Sequence, residues 1–194
     1  MSAVRKPAFI TEEEYLTSPR FTESEWRFEY VDGQVYAMAE PSERHEKLAG
    51  NLFAALNRHL RGHRCTAFQG RRRVRTGFLN RAFHYYPDIM VVCDEPWRDE
   101  RYRENPTLVV EVLSPSTEAT DIREKMFAYL NTASINHYII IAQEKIEVTV
   151  YRRVPQPDGW EVETLDQATD VLSVPDLGFE MSVADIYEKS GLLP

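Results

Sequence analysis

Two apolar runs, Leu108-Val109-Val110-Glu111-Val112-Leu113 and His137-Tyr138-Ile139-Ile140-Ile141-Ala142, stand on either side of a stretch with helical periodicity. Ile122, Met126, Tyr129 and Leu130 recur at helical spacing and predict a helix from about Asp121 to Asn131, capped by Thr120 or Asp121. Strands without polar alternation are covered on both faces, which is how parallel strands are used. A strand, a helix and a strand in this order imply a right-handed parallel crossover. The chain is thereby committed to a sheet with helices packed on it.

Glu111 violates the first of these runs. An ionised carboxylate in a buried strand is costly unless it meets a cation, a metal or strong donors. Asp88 repeats the anomaly in Tyr86-Pro87-Asp88-Ile89-Met90-Val91-Val92, 23 positions earlier. Two acids planted in two apolar strands point to one shared metal site. Carboxylates are hard oxygen ligands suited to Mg²⁺ or Mn²⁺. Were the two strands antiparallel neighbours, both side chains would reach one point.

The rest of the chain reads as follows. Thr11 with Glu14 is a capping-box pattern and predicts a short helix over Glu12 to Thr17, ended by Pro19. Trp26, Phe28 and Tyr30 alternate with Arg27, Glu29 and Val31 as in a strand, and Asp32-Gly33 turns the chain back through Gln34 to Ala39. Ser42 caps a helix whose buried stripe is Leu48, Leu52, Ala55, Leu56 and Leu60, closed by Gly62. A strand is expected from about Thr66 to Val74, a less ordered connection from Thr76 to Phe83, and a charged loop from Asp94 to Asn105. Ile146 to Arg152 pairs with the strand before it. The tail, with Pro155, Pro157, Asp158-Gly159 and Pro175, reads as a peripheral β extension ending in a helix near Val183 to Lys189. The expectation is a single α/β (α+β) domain over residues 1–194. Its core, about 42–152, runs helix, three strands, helix, strand; the central sheet is mixed, with an N-terminal β-hairpin before it and residues 153–194 after it.

The 194 residues suffice to bury a core without staples. The net charge of −8 argues against broad nonspecific nucleic-acid binding, but distribution matters more than the sum. Arg71, Arg72, Arg73, Arg75 and Arg81 form a local basic stretch, readable as a salt-bridged edge or as a phosphate track. Cys65 and Cys93, the only cysteines, do not form a disulfide framework on sequence grounds, and Cys93 reads as a small core residue. No signal region or membrane-spanning stretch is visible, which sets a reducing cytoplasm as the expectation.

Three further side chains are candidates. Lys125 borders the buried stripe of its helix and could stabilise charge on phosphorus, although spacing alone favours an i,i+4 pair with Asp121 or a solvated lysine. His45 sits in the first turn of the long helix, where a structural histidine is the commoner reading. Glu29 lies on the hairpin face opposite Trp26, Phe28 and Tyr30 and on that ground faces solvent. No Gly-rich phosphate loop and no serine-hydrolase elbow is present.

The string Phe28-Glu29-Tyr30-Val31-Asp32-Gly33, then His45, Tyr86-Pro87-Asp88, Val110-Glu111-Val112-Leu113-Ser114-Pro115-Ser116-Thr117, Asp121, Lys125 and Tyr129, resembles the Uma-two family of restriction endonuclease-like proteins in the PD-(D/E)XK nuclease superfamily. The resemblance runs from about Thr11 to Arg152. It implies a restriction endonuclease-like core, with Asp88 and Glu111 as ligands of Mg²⁺ or Mn²⁺. It also implies that the functional lysine, which the superfamily places two residues after the acid, at Leu113 here, has moved to the following helix as Lys125. Glu29 and His45 match family positions as possible accessory residues. The expectation is a metal-dependent DNA endonuclease, a homodimer with DNA as its partner. The alternative is a catalytically inactive module of the same fold that binds nucleic acid or protein.

Overall fold

The structure is a computed structural model that describes residues 9–78, 81–93, 99–113, 121–155 and 159–193. Strand β8 (Pro106–Leu113) is its axis. Leu108 through Val112 are buried, so both faces of the strand are covered. On one side β8 pairs antiparallel with β6 (Ile89–Val92), and on the other parallel with β9 (His137–Ala142). The strand–helix–strand reading therefore holds. The helix between β8 and β9 begins as a π-helical turn, Asp121–Lys125, and continues as α4 (Met126–Leu130). Its expected cap at Thr120 and the Ser114-Pro115-Ser116-Thr117 string lie outside the described residues.

The full sheet has six strands in the order β11-β10-β9-β8-β6-β3, where β3 is Thr66–Gln69, β10 Val148–Arg153 and β11 Trp160–Leu165. One face is covered by α3 (Glu43–His59), whose Leu48, Leu52 and Leu56 are buried as their spacing predicts. Ser42 caps α3 by accepting from the His45 amide at 3.2 Å, and Glu43 and Glu46 in the first turn, with Arg58 and His59 in the last, complement the helix dipole. The C-terminal hairpin, β12 (Val171–Val174) with β13 (Phe179–Ser182), and helix α5 (Val183–Ile186) close the same core with Leu172, Phe179, Ile186 and Tyr187.

The opposite face carries α4 and a second sheet of order β2-β1-β5-β4-β7. Here β1 is Phe28–Val31, β2 Gln34–Ala37, β4 Arg73–Phe78, β5 Arg81–Tyr85 and β7 Tyr102–Arg103. The β1–β2 hairpin turns at Asp32 (φ 44) and Gly33 (φ 90), the left-handed pair that Asp-Gly supplies. Helix α1 (Glu12–Thr17) is capped by Thr11 as expected and packs Tyr15 and Leu16 against Tyr30.

Several expectations change. The strand drawn from Thr66 to Val74 is two strands in different sheets, broken where Gly70 adopts φ +57 and gives its amide to the Asp88 carbonyl at 2.9 Å. The connection from Thr76 to Phe83 is instead occupied by β4 and β5, apart from residues 79–80 outside the described set. Arginines at alternate positions disguised β4; Val74 and Thr76, between them, are the buried side. Pro19 begins a further turn, α2 (Pro19–Thr22), a position where its missing amide hydrogen costs nothing. Of the charged loop from Asp94 to Asn105, residues 94–98 lie outside the described set, and Tyr102–Arg103 forms a short strand beside β4. Cys65 and Cys93 form a disulfide. They lie one step beyond the Thr66–Val92 pair of the β3–β6 ladder, so register brings them face to face. The cysteines accordingly no longer argue for a reducing compartment. No described helix is long and apolar enough to cross a membrane.

Candidate active site

The chain crosses between the two sheets twice in close succession. The β3–β4 crossing passes through Gly70, and the β5–β6 crossing through Tyr86-Pro87-Asp88. The bond from the Gly70 amide to the Asp88 carbonyl joins them. Strand pairing then sets the acids. Ile89 pairs with Val110 in the antiparallel β6–β8 ladder, so one further step of register brings Asp88 alongside Glu111. The Asp88 carboxylate accepts from the Val112 amide at 2.7 Å, the peptide adjoining Glu111.

Each acid has defined company. Asp88 Oδ2 lies 3.1 Å from His45 Nε2, so the histidine in the first turn of α3 meets the metal-ligand candidate directly. Glu111 is 4% exposed, and its Oε1 accepts from the Tyr129 hydroxyl at 2.9 Å. Burial first, and the Glu111 charge second, hold the Tyr129 hydroxyl far above its ordinary pKa, which keeps it a proton donor to that carboxylate.

Lys125, the last residue of the π-helical turn, is buried. Its Nζ lies 3.0 Å from Glu29 Oε1 and 3.6 Å from Glu111 Oε1, with the Tyr85 ring centroid at 5.7 Å. The solvated state that spacing allowed does not describe this side chain, and the alternative pair with Asp121 falls on a side chain outside the described set. Glu29 also departs from expectation. It faces inward, toward Lys125, and accepts from the Tyr86 amide at 3.1 Å, because the face of β1 away from Tyr30 is turned to the second crossing rather than to water. Asp88, Glu111, Lys125, Glu29 and His45 are thus joined into two linked groups, His45–Asp88 and Glu29–Lys125–Glu111, bridged by the backbone of β8.

The Uma2 family model, described as "Putative restriction endonuclease", matches residues 12–184. The chain belongs to this family. Two uncharacterized proteins of Synechocystis sp. are similar to it. One is 32% identical over 162 residues, covering 83% of each chain; the other is 27% identical over 157 residues, covering 79% of this chain and 86% of its own. A solved structure titled a "putative nuclease belonging to DUF820", from Anabaena variabilis, superposes with a TM-score of 0.72 at 24% identity, covering 95% of this chain and 99% of that one. That likeness shows that the two chains share one mixed α+β fold. Membership in Uma2 places the chain among nuclease-type proteins.

For a Uma2 chain, two contributors were not assigned a role from sequence. Tyr129 stood in the family string, and its place four residues after Lys125 on the same stripe is the signal that both reach Glu111. Tyr86 was read only as part of Pro-Asp, yet its amide orients Glu29.

Proposed function

We propose that the chain is a metal-dependent endonuclease that hydrolyses phosphodiester bonds of DNA, with Asp88 and Glu111 as the ligands of Mg²⁺ or Mn²⁺ and Lys125 as the charge-stabilising residue. The observation that carries the reading is Lys125. A buried ammonium between Glu29 and Glu111, on the backbone stretch that also holds Asp88, is an expensive arrangement for stability alone.

The donor set suits a hard ion. Among the described residues no three His, Cys, Asp or Glu side chains form a ready cage. Two carboxylates are nevertheless what Mg²⁺ commonly takes from a protein, the remaining positions going to water and substrate phosphate. When bound, the ion supplies an activated water and neutralises charge on the phosphate. The protein's own groups have distinct tasks. The Val112 amide and His45 hold the Asp88 carboxylate, and the Tyr129 hydroxyl holds Glu111 in its strand. Lys125 places a positive charge beside Glu111, where it stabilises the negative charge that grows on the phosphoryl oxygens as water adds to phosphorus and the ester P–O bond breaks. His45 and Glu29 act as positioning residues, for Asp88 and Lys125 respectively.

Purified protein incubated with supercoiled plasmid and with single-stranded DNA tests this. Nicking or linearisation in Mg²⁺ or Mn²⁺, abolished by EDTA, is expected. Intact DNA under all conditions would favour the non-catalytic binding module, to which a Glu29–Lys125–Glu111 cluster already satisfied by its own charges lends support. We also infer a homodimer, since cleavage of two strands is simplest with two sites. Of the hairpin aromatics named from sequence, Tyr30 is core, Phe28 is half-buried against it, and Trp26 (57% exposed) is available to a partner copy; Tyr36 (53%), not named from sequence, is exposed as well. Light scattering that finds a monomer at high micromolar concentration would refute it.

A further inference from the structure

We infer that Arg71 and Arg72 on the β3–β4 crossing and Arg73 at the start of β4, together with Arg27, form a rim that grips the DNA phosphodiester backbone beside Asp88. The identity of the ligand rests on the nuclease reading above; the rim itself rests on how charge is distributed over the basic stretch.

That stretch divides in two. Away from the crossing its arginines are neutralised: Arg75 by Glu12 and Glu104, Arg81 by Asp32, and the nearby Arg101 by Asp99. At the crossing they are not. Among the described residues, Arg27, Arg71, Arg72 and Arg73 share no ion pair with a carboxylate. Arg27 Nη1 donates to the Gly70 carbonyl, Arg72 Nη1 to the Glu100 carbonyl, and Arg73 Nε to the Arg101 carbonyl at 3.3 Å. These bonds orient the guanidinium groups without cancelling their charge, and each engages one nitrogen of a group that carries five N–H donors. The Arg27 and Arg73 guanidinium groups each lie 6.0 Å from the centroid of the Tyr86 ring. The loop they line is tied to the Asp88 carbonyl through the Gly70 amide. Two acids near the rim are already paired, Asp99 with Arg101 and Glu29 with Lys125.

Four positive charges at one border of a site built on Asp88, Glu111 and Glu29 solve a physical problem. A phosphate approaching three carboxylates on a chain of net charge −8 is repelled. Fixed guanidinium groups at the entrance reverse that field locally, and their planar forks match phosphate oxygens two at a time.

The test is binding, measured apart from cleavage. A fluorescein-labelled DNA duplex is titrated with the full chain in EDTA at several salt concentrations, and the anisotropy gives Kd and the slope of log K against log salt. Arg71→Ala/Arg72→Ala should raise Kd several-fold and reduce the slope by about 1 for each arginine removed. Arg71→Ala alone, at an exposed position, should reduce it by about 1 and keeps the test independent of any folding defect. The control is Arg58→Ala at the far end of α3, about 20 Å along the helix from His45; it should leave the slope unchanged. An unchanged slope in the Arg71 and Arg72 variants, an equal loss in the Arg58 control, or no binding by the wild-type chain at low salt would each overturn the rim. Rim-dependent binding by a protein that never cleaves would uphold the rim and reject the nuclease; cleavage with a rim-independent slope would do the reverse.

Discussion

Lys125 is a buried ammonium between two carboxylates, and its substitution is the most informative at the residue scale. Lys125→Ala should keep metal binding but slow cleavage about 10²–10³-fold, because it removes charge felt in the transition state. Lys125→Arg should not restore the rate, since a planar guanidinium cannot replace a compact ammonium between Glu29 and Glu111. A wild-type rate in Lys125→Ala, measured by single-turnover plasmid cleavage, would dismiss the role. His84 gives a prediction independent of activity. It is fully buried on β5, its Nε2 lies 2.7 Å from Glu12 Oε1, and burial, outweighing that carboxylate, lowers its pKa from 6.5 to about 4. The unfolded chain therefore binds the extra proton between these values. The stability contributed is complete above about pH 6.5 and lost as pH falls toward about 4, a change on the order of 3 kcal/mol. Glu12, whose pKa the Arg75 bond lowers, acts in the same direction. Urea melts between pH 7 and pH 4 should show a steep fall that His84→Asn flattens; parallel curves would contradict the assignment.

At the scale of elements, legibility followed how local each cause was. Helix α3, the hairpin and the β8–α4–β9 unit were readable because cap, turn and apolar period are written within a few residues. Glu111 was readable because a charge inside an apolar strand is an anomaly visible without any partner; Asp88, read the same way, lies on the crossing one residue before β6. The β4–β5 pair was not, because its charged alternate residues hid the period until the buried Val74 and Thr76 identified the inner face. Nor was the disulfide, which depends on the β3–β6 register and not on the spacing of Cys65 and Cys93. Glu29 was misplaced for a related reason: a strand's outer face is solvent only if no second layer covers it. Because the disulfide closes a loop across 28 positions, reduction or Cys93→Ala should lower unfolding free energy by about 2–4 kcal/mol while the fold persists. Denaturant midpoints that are the same with and without reductant would show that the bond adds nothing.

For the whole molecule, the proposed site lies where the chain crosses twice between two sheets. The six-stranded sheet provides β8 with Glu111, the second sheet provides β1 with Glu29, the two crossings deliver Asp88 and the arginine rim, and the parallel connection brings in Lys125 and Tyr129. No single element holds more than part of it. The central claim is that Asp88 and Glu111 act on one ion. Calorimetric titration of Mn²⁺ into the wild-type chain, Asp88→Ala, Glu111→Ala and Lys125→Ala measures it directly, with circular dichroism confirming that each variant is folded. Wild type and Lys125→Ala should bind the ion, and each single acid variant should lose the binding. Unaltered Mn²⁺ binding in folded Asp88→Ala or Glu111→Ala would contradict the shared site.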